Sequence, residues 1–221
     1  MKKAVLLDFY GTIVHEAENV LDELSEVFHE AGCTRPAQEI HRMWWTGFAC
    51  ATEIANDEKF QLQKTLYVSV LEKMQRECGV CIDVKAFAEK IIAFSVSSRP
   101  FDDSLRFLTE CPLPCYILSN IDTPELMIMI KKLGINPCGI YTSEMAREYK
   151  PRPGIFQKGL LQFGLRAEDV LYAGESLRND YYGARGAGID SVWLNRKKET
   201  VPQGVRALPD LYSLLGILTE F

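Results

Sequence analysis

The chain has 221 residues, of which 47% are hydrophobic and 25% charged, enough apolar material to bury a core without disulfide or metal staples. Its formal net charge of -5 is spread without long acidic or basic runs, which leaves no electrostatic footprint for nucleic acid or an anionic membrane surface. A globular protein of one or two domains remains, with room for local sites that hold small phosphate-bearing molecules.

Met1 to Leu7 begins like the charged front of a signal peptide, but Asp8 cuts the apolar run short. No other segment is long and apolar enough to span a bilayer. Seven cysteines are an odd set, which argues against a fully paired framework and points to the reducing cytoplasm. In chain order, Ala4 to Leu7 reads as a buried strand that stops at Asp8, with Gly11-Thr12 as a break. From about Glu16 to Phe94 the period becomes helical, with apolar positions at Val20, Leu21, Leu24, Val27 and Phe28 and later at Leu62, Leu66, Tyr67, Val70, Leu71 and Met74. No strand interrupts it, so this stretch is a helical insert. After Arg99-Pro100 strands and helices alternate: strand 115–118, helix 123–133 with Thr123-Pro124 as start and Gly134 as stop, strand 140–142, helix 154–163, strand 170–173, helix 181–187 and strand 191–194. Such alternation predicts an α/β fold, a doubly wound parallel sheet. Asp8, Ser119 and Gly174-Glu175 each follow a predicted strand, and in an open parallel sheet the carboxyl ends of the strands share one ligand-binding edge.

Asp8, followed by Phe9-Tyr10-Gly11-Thr12, can present a carboxylate beside a tight turn for covalent catalysis, or can merely cap that turn. Ser119-Asn120 offers anion donors or a helix cap. Lys150 supplies a cation able to neutralise a nucleophile and a phosphoryl oxygen together. Glu175 and Asp180 bring two carboxylates to one strand-to-helix loop, and with Asp8 they form a hard-oxygen set suited to Mg2+, costly without a cation. Cys78-x-x-Cys81 and Cys111-x-x-x-Cys115 are alternative zinc or redox pairs, although Cys115 sits in an apolar run where a thiol is a small hydrophobe. Three histidines, His15, His29 and His41, supply a serine triad or histidine metal site poorly.

Taken in order, Asp8, Ser119, Lys150 and the pair Glu175 and Asp180 resemble the four motifs of the haloacid dehalogenase (HAD) superfamily. Gly183-Ala184, Ala187-Gly188 and the Lys150-Pro151-x-Pro153 run make the chain similar to the subgroup with a helical cap inserted after the first motif. The resemblance implies a Rossmann-like core, residues 1–15 and 99–221, and a helical cap, residues 16–98. It also implies Asp8 as nucleophile, an aspartyl-phosphate intermediate, Mg2+ held by Asp8, Asp180, Glu175 and the Tyr10 carbonyl, and phosphoryl oxygens held by Ser119, Asn120 and Lys150.

Tyr10 departs from the phosphatase pattern, which has a second aspartate there as general acid and base; an unperturbed phenol, with a pKa near 10, is a poor base at neutral pH. Haloacid dehalogenases resemble the chain at that point, and Arg42 falls near their halide-binding arginine. Against dehalogenation, those metal-free enzymes have serine and asparagine where this chain has Glu175 and Leu177. Phosphonate cleavage through Lys59, Lys64 or Lys73, and a non-catalytic binding role, are further alternatives. The reading expected is a Mg2+-dependent phosphatase for a small phosphate ester, slow because of Tyr10, with Trp44, Trp45 and Phe48 facing the cleft and with the oligomeric state open.

Overall fold

The period-two alternation in β1 (Ala4–Leu7) puts Val5 and Leu7 into one hydrophobic cluster and Ala4 and Leu6 into another. A strand apolar on both faces belongs in the middle of a sheet covered on both sides. The computed structural model, which describes residues 1–16 and 19–218, has β1 there, in an all-parallel sheet ordered β3-β2-β1-β4-β5-β6. The expected cap includes residues 17–18 and the expected core residues 219–221, which lie outside the described residues.

After β1 the chain forms α1 (Asn19–Glu30), α2 (Ala37–Ile54), α3 (Gln63–Cys78) and α4 (Val84–Ser95). These four helices share their own core, including Leu24, Phe28, Ile40, Trp44, Leu71, Met74 and Phe87. The Asp83 carboxylate caps α4 by accepting from the Ala86 amide, and Gly79, at φ +67°, ends α3 in the left-handed conformation that favours glycine.

The chain returns beside its own exit, where His15 N–H donates to the Arg99 carbonyl at 2.9 Å. It continues through α5 (Ser104–Glu110), β2 (Cys115–Ser119), α6 (Thr123–Leu133), β3 (Gly139–Thr142), α7 (Ser143–Ala146), α8 (Pro153–Phe163) and β4 (Val170–Gly174). A π-helical turn (Leu177–Tyr182), α9 (Gly183–Gly186), β5 (Asp190–Leu194), β6 (Ala207–Leu208) and α10 (Leu211–Ile217) complete it.

The five predicted strands are present, and β6, too short to carry a period, was not predicted. Nor were α5, α7 and α10, each of seven residues or fewer. The helix expected over 181–187 starts earlier, because the Ser176 hydroxyl accepts from the Asn179 amide while its own amide donates to Asp180 Oδ2. No described helix is long and apolar enough to cross a membrane.

Candidate active site

Strand order reverses between β1 and β4, and this crevice at the strand ends is where an open α/β sheet binds ligands. Asp8 leaves β1 and Glu175 leaves β4 there. The Gly11 backbone, at φ +73°, comes so close to Glu175 that a Cβ would lie 2.3 Å from its Cγ. Gly174 has the same role under Asp180, whose Cγ would lie 2.4 Å from an added Cβ. Both glycines let backbone approach a carboxylate.

Lys150 arrives from the loop after α7, with only 3% of its surface exposed. Its Nζ donates to Asp8 Oδ1 at 2.7 Å, Asp180 Oδ1 at 2.5 Å and the Tyr172 hydroxyl at 3.0 Å. Asn120 fixes the lysine's backbone from both sides: the Lys150 amide donates to Asn120 Oδ1 at 2.8 Å, and Asn120 Nδ2 donates to the Lys150 carbonyl at 3.2 Å. Tyr172 lies 2.9 Å from both the Leu118 carbonyl and Asp180 Oδ1, so its single proton serves one of them while its oxygen accepts from the lysine.

Two carboxylates, Asp8 and Asp180, pair with this one ammonium, and Glu175 lies beside them. Asp8, Glu175 and Asp180 each offer an oxygen within 4.8 Å of the other two, the one group of three or more potential metal ligands among the described residues. Burial, then repulsion from Asp180 and its neighbours, pushes Glu175 up to about 9. Burial and the Asp8 charge push Asp180 up to about 6, against the lowering effect of Lys150. Burial pulls the Lys150 pKa down, but Asp180 and Asp8 outweigh it and hold the ammonium charged. A divalent cation matches the excess negative charge and the hard-oxygen donor set.

The site opens into a cavity of about 510 Å³. Asp8, Tyr10, Ser119, Asn120, Lys150, Glu175 and Asp180 all line it, as do Trp44, Trp45 and Phe48. Arg42 does not. It is exposed on α2 and absent from the lining, because Trp44, two residues on and about 200° around the helix, is the residue that turns inward. Of the three lysines considered for a Schiff base, Lys64 lines the rim and Lys59 and Lys73 lie outside it. Cys78 meets Cys33 rather than Cys81, its thiol pushed up to about 11 by burial and that neighbour. Cys111 sits beside Cys115, whose thiol pulls it down to about 7. Neither arrangement joins a cluster of three metal ligands.

The family model for haloacid dehalogenase-like hydrolases matches residues 2–188. The chain belongs to that family. A phosphoglycolate phosphatase of Photorhabdus laumondii is 26% identical over 87% of this chain and 80% of its own. Among solved structures, the HAD-hydrolase YfnB of Bacillus subtilis, bound to magnesium, superposes with TM-score 0.78 at 18% identity over 99% of both chains. An L-2-haloacid dehalogenase of Xanthobacter autotrophicus does so with TM-score 0.79 at 18% identity over the whole of both. At these identities the structural likeness shows the fold, a Rossmann-like core with a cap. HAD-like relatives thus include both phosphatases and dehalogenases.

Several site residues had no signal in the sequence. Tyr172 reads as one more apolar residue of a buried strand. Asp122 reads as a local cap, yet its carboxylate accepts from the Gln63 and Lys64 amides at 2.9 and 3.2 Å and so caps α3 from across the cleft. Asn56 does the converse, its Oδ1 accepting from the Tyr149 amide at 2.7 Å. The helical insert is thereby tied to the two loops that carry Asn120 and Lys150.

Proposed function

We propose that this HAD-like hydrolase is a Mg2+-dependent phosphatase in which the Asp8 carboxylate attacks the phosphorus of a phosphate monoester. The observation that carries the reading is the cluster of Asp8, Glu175 and Asp180, of which Asp8 and Asp180 pair with one buried ammonium, a set of like charges that makes physical sense with a divalent cation between them. Bound there, Mg2+ supplies positive charge to the phosphoryl oxygens and the developing transition state. Lys150 aligns Asp8 and offsets charge on the transferring group. Ser119, buried at the end of β2 and lining the cavity, donates its hydroxyl to a phosphoryl oxygen, and Asn120 keeps Lys150 in register. Attack forms the Asp8 phosphate and expels the ester oxygen as an alkoxide that takes its proton from water; a second water then hydrolyses the Asp8 phosphate, returning the carboxylate and releasing inorganic phosphate.

Burial, and next the Glu125 charge, push the Tyr10 phenol upward, so it stays protonated and does not act as the base at neutral pH. Turnover therefore favours esters whose alcohol leaves with little protonation. The phosphoglycolate phosphatase that matches 87% of this chain supports the reading. We take residues 1–15 and 99–221 as the catalytic core and 16–98 as the cap, a division supported by the adjoining crossings at Val14 and Pro100 and by the separate apolar core of the helical insert. Cap closure excludes water and selects the small-molecule substrate, and the cytoplasm, inferred from the unpaired cysteine count, is the proposed compartment.

A second reading, metal-independent dehalogenation, draws on Tyr10, since a halide needs no proton to depart. Parallel assays of phosphate esters and 2-haloacids with and without Mg2+ separate the two. Phosphate release that requires the metal and is lost in Asp8→Asn supports the proposal, whereas halide release without metal overturns it. Absence of turnover on both panels points to a binding role.

A further inference from the structure

One charged group in the cavity wall has no direct part in the chemistry above. Glu125 lies in the first turn of α6 and lines the cavity, and its Oε2 is buried without a hydrogen-bond partner. Of the buried side-chain polar atoms left unpartnered among the described residues, only this oxygen and the Tyr10 hydroxyl belong to cavity-lining residues. Ser95 lies near the Tyr10 phenol but completes no hydrogen bond with it. A buried carboxylate oxygen is costly to leave unpaired.

The other acids of the wall outside the Asp8, Glu175 and Asp180 cluster are matched. Glu16 pairs with Lys197 at 2.8 Å, Glu53 with Arg178, and Asp122 with two backbone amides. Glu125 instead presses its charge on its neighbours, adding to the upward push on Tyr10, Tyr67 and Asp122 behind burial and other causes, and no cationic side chain offsets it at any of the three. Glu125 lies at the N-terminal end of α6, where the helix dipole favours negative charge without bonding Oε2. Beside it the wall is aromatic: Trp44, Phe48 and Tyr67 form a three-ring cluster with centroids 5.4 to 6.0 Å apart. An anion beside aromatic rings attracts a cation and gives a neutral or anionic group no comparable gain.

We infer that Glu125 and Tyr10, with the Trp44, Phe48 and Tyr67 rings, form a subsite for a protonated amine on the leaving alcohol, so that the substrate is the phosphate monoester of an amino alcohol. The inference rests on the phosphatase reading for the phosphate end and on the unpartnered polar atoms for the amine. The ammonium donates to Glu125 Oε2 and to the Tyr10 oxygen. An electron-withdrawing ammonium also lowers the pKa of the departing alcohol, which suits a site where Tyr10 replaces a carboxylic acid.

The test compares ω-aminoalkyl phosphates of two to five carbons with n-alkyl phosphates of matching length, with Mg2+ present. At the best length, kcat/KM for the amino ester exceeds that of the alkyl ester by about tenfold or more, and Glu125→Gln brings the ratio close to one. Tyr10→Phe, which removes only the hydroxyl, lowers the ratio about two- to fivefold. A ratio at or below one at every length, or a ratio unchanged in a folded Glu125→Gln protein, overturns the inference. Should neither series turn over, the phosphatase reading fails instead. The free amino alcohols and matching alcohols are then titrated against tryptophan fluorescence: tighter binding of the amines, lost in Glu125→Gln, supports the subsite, and equal binding rejects it.

Discussion

Replacing Lys150 by methionine keeps the reach of the side chain and removes its charge. In the native chain the ammonium lies 2.7 Å from Asp8 Oδ1 and 2.5 Å from Asp180 Oδ1. Each pair is worth roughly 6 kcal/mol of gross attraction at an effective dielectric of about 20. Much of that is offset by desolvation of three buried ions. What Lys150→Met adds is the cost of leaving two close carboxylates uncompensated, about 3 to 5 kcal/mol for a broken buried pair. In a chain of this length each kcal/mol shifts Tm by about 2 to 4 °C, so the variant should melt about 6 to 20 °C lower at pH 8. The deficit should shrink toward pH 5. Lys150 lowers the Asp180 pKa, which already stands at about 6; without the lysine the folded state retains that proton to higher pH, and the penalty appears as pH rises through the shifted value. Thermal unfolding followed by circular dichroism at pH 5 and pH 8, with and without millimolar MgCl2, measures this directly. Mg2+ should return part of the loss at pH 8. A variant as stable as the parent at pH 8, or a deficit independent of pH and metal, would refute the electrostatic account of the site.

Other outcomes follow from the same geometry. Glu175, raised from 4.5 to about 9, binds more protons folded than unfolded between those values; without metal, stability should fall by a few kcal/mol from pH 5.5 to 8.5, and Mg2+ should raise Tm more at the alkaline end. Equal metal shifts at both pH values would contradict this. Gly11→Ala strains a φ of +73° and drives a methyl into Glu175, which should cost about 1 to 3 kcal/mol in chemical denaturation and weaken Mg2+ binding measured by calorimetry. Tyr172→Phe leaves the Leu118 carbonyl without that donor and loosens Lys150, so it should lose about 1 to 3 kcal/mol of stability and lower kcat/KM without creating a new pH optimum. Unchanged kinetics in Tyr172→Phe would remove its positioning role.

The order of chemical residues along the chain was legible because each follows a strand whose period is local. Ala4 to Leu7 announces a buried strand from four residues, and a parallel sheet then brings Asp8, Ser119 and Glu175 to one edge whatever the loops do. The membership of the site is a different matter. Arg42 lies in a helix whose amphipathic face is readable, but the rotation and docking of that helix choose Trp44 for the cavity. Tyr172 is apolar by pattern and polar only through a hydroxyl that meets residues 22 and 54 positions away in sequence. The two residues of β6 have no period at all. Sequence alone therefore determined the sheet, the helical insert and the carboxylates and lysine of the candidate site, since these depend on short-range hydrophobic pattern and residue type. Tertiary structure decided which side chains complete Lys150, which acid is matched and which, like Glu125, is left unpaired. Those depend on angstrom-scale distances between segments far apart in the chain, where hydrogen bonds and charge pairs change strength most steeply.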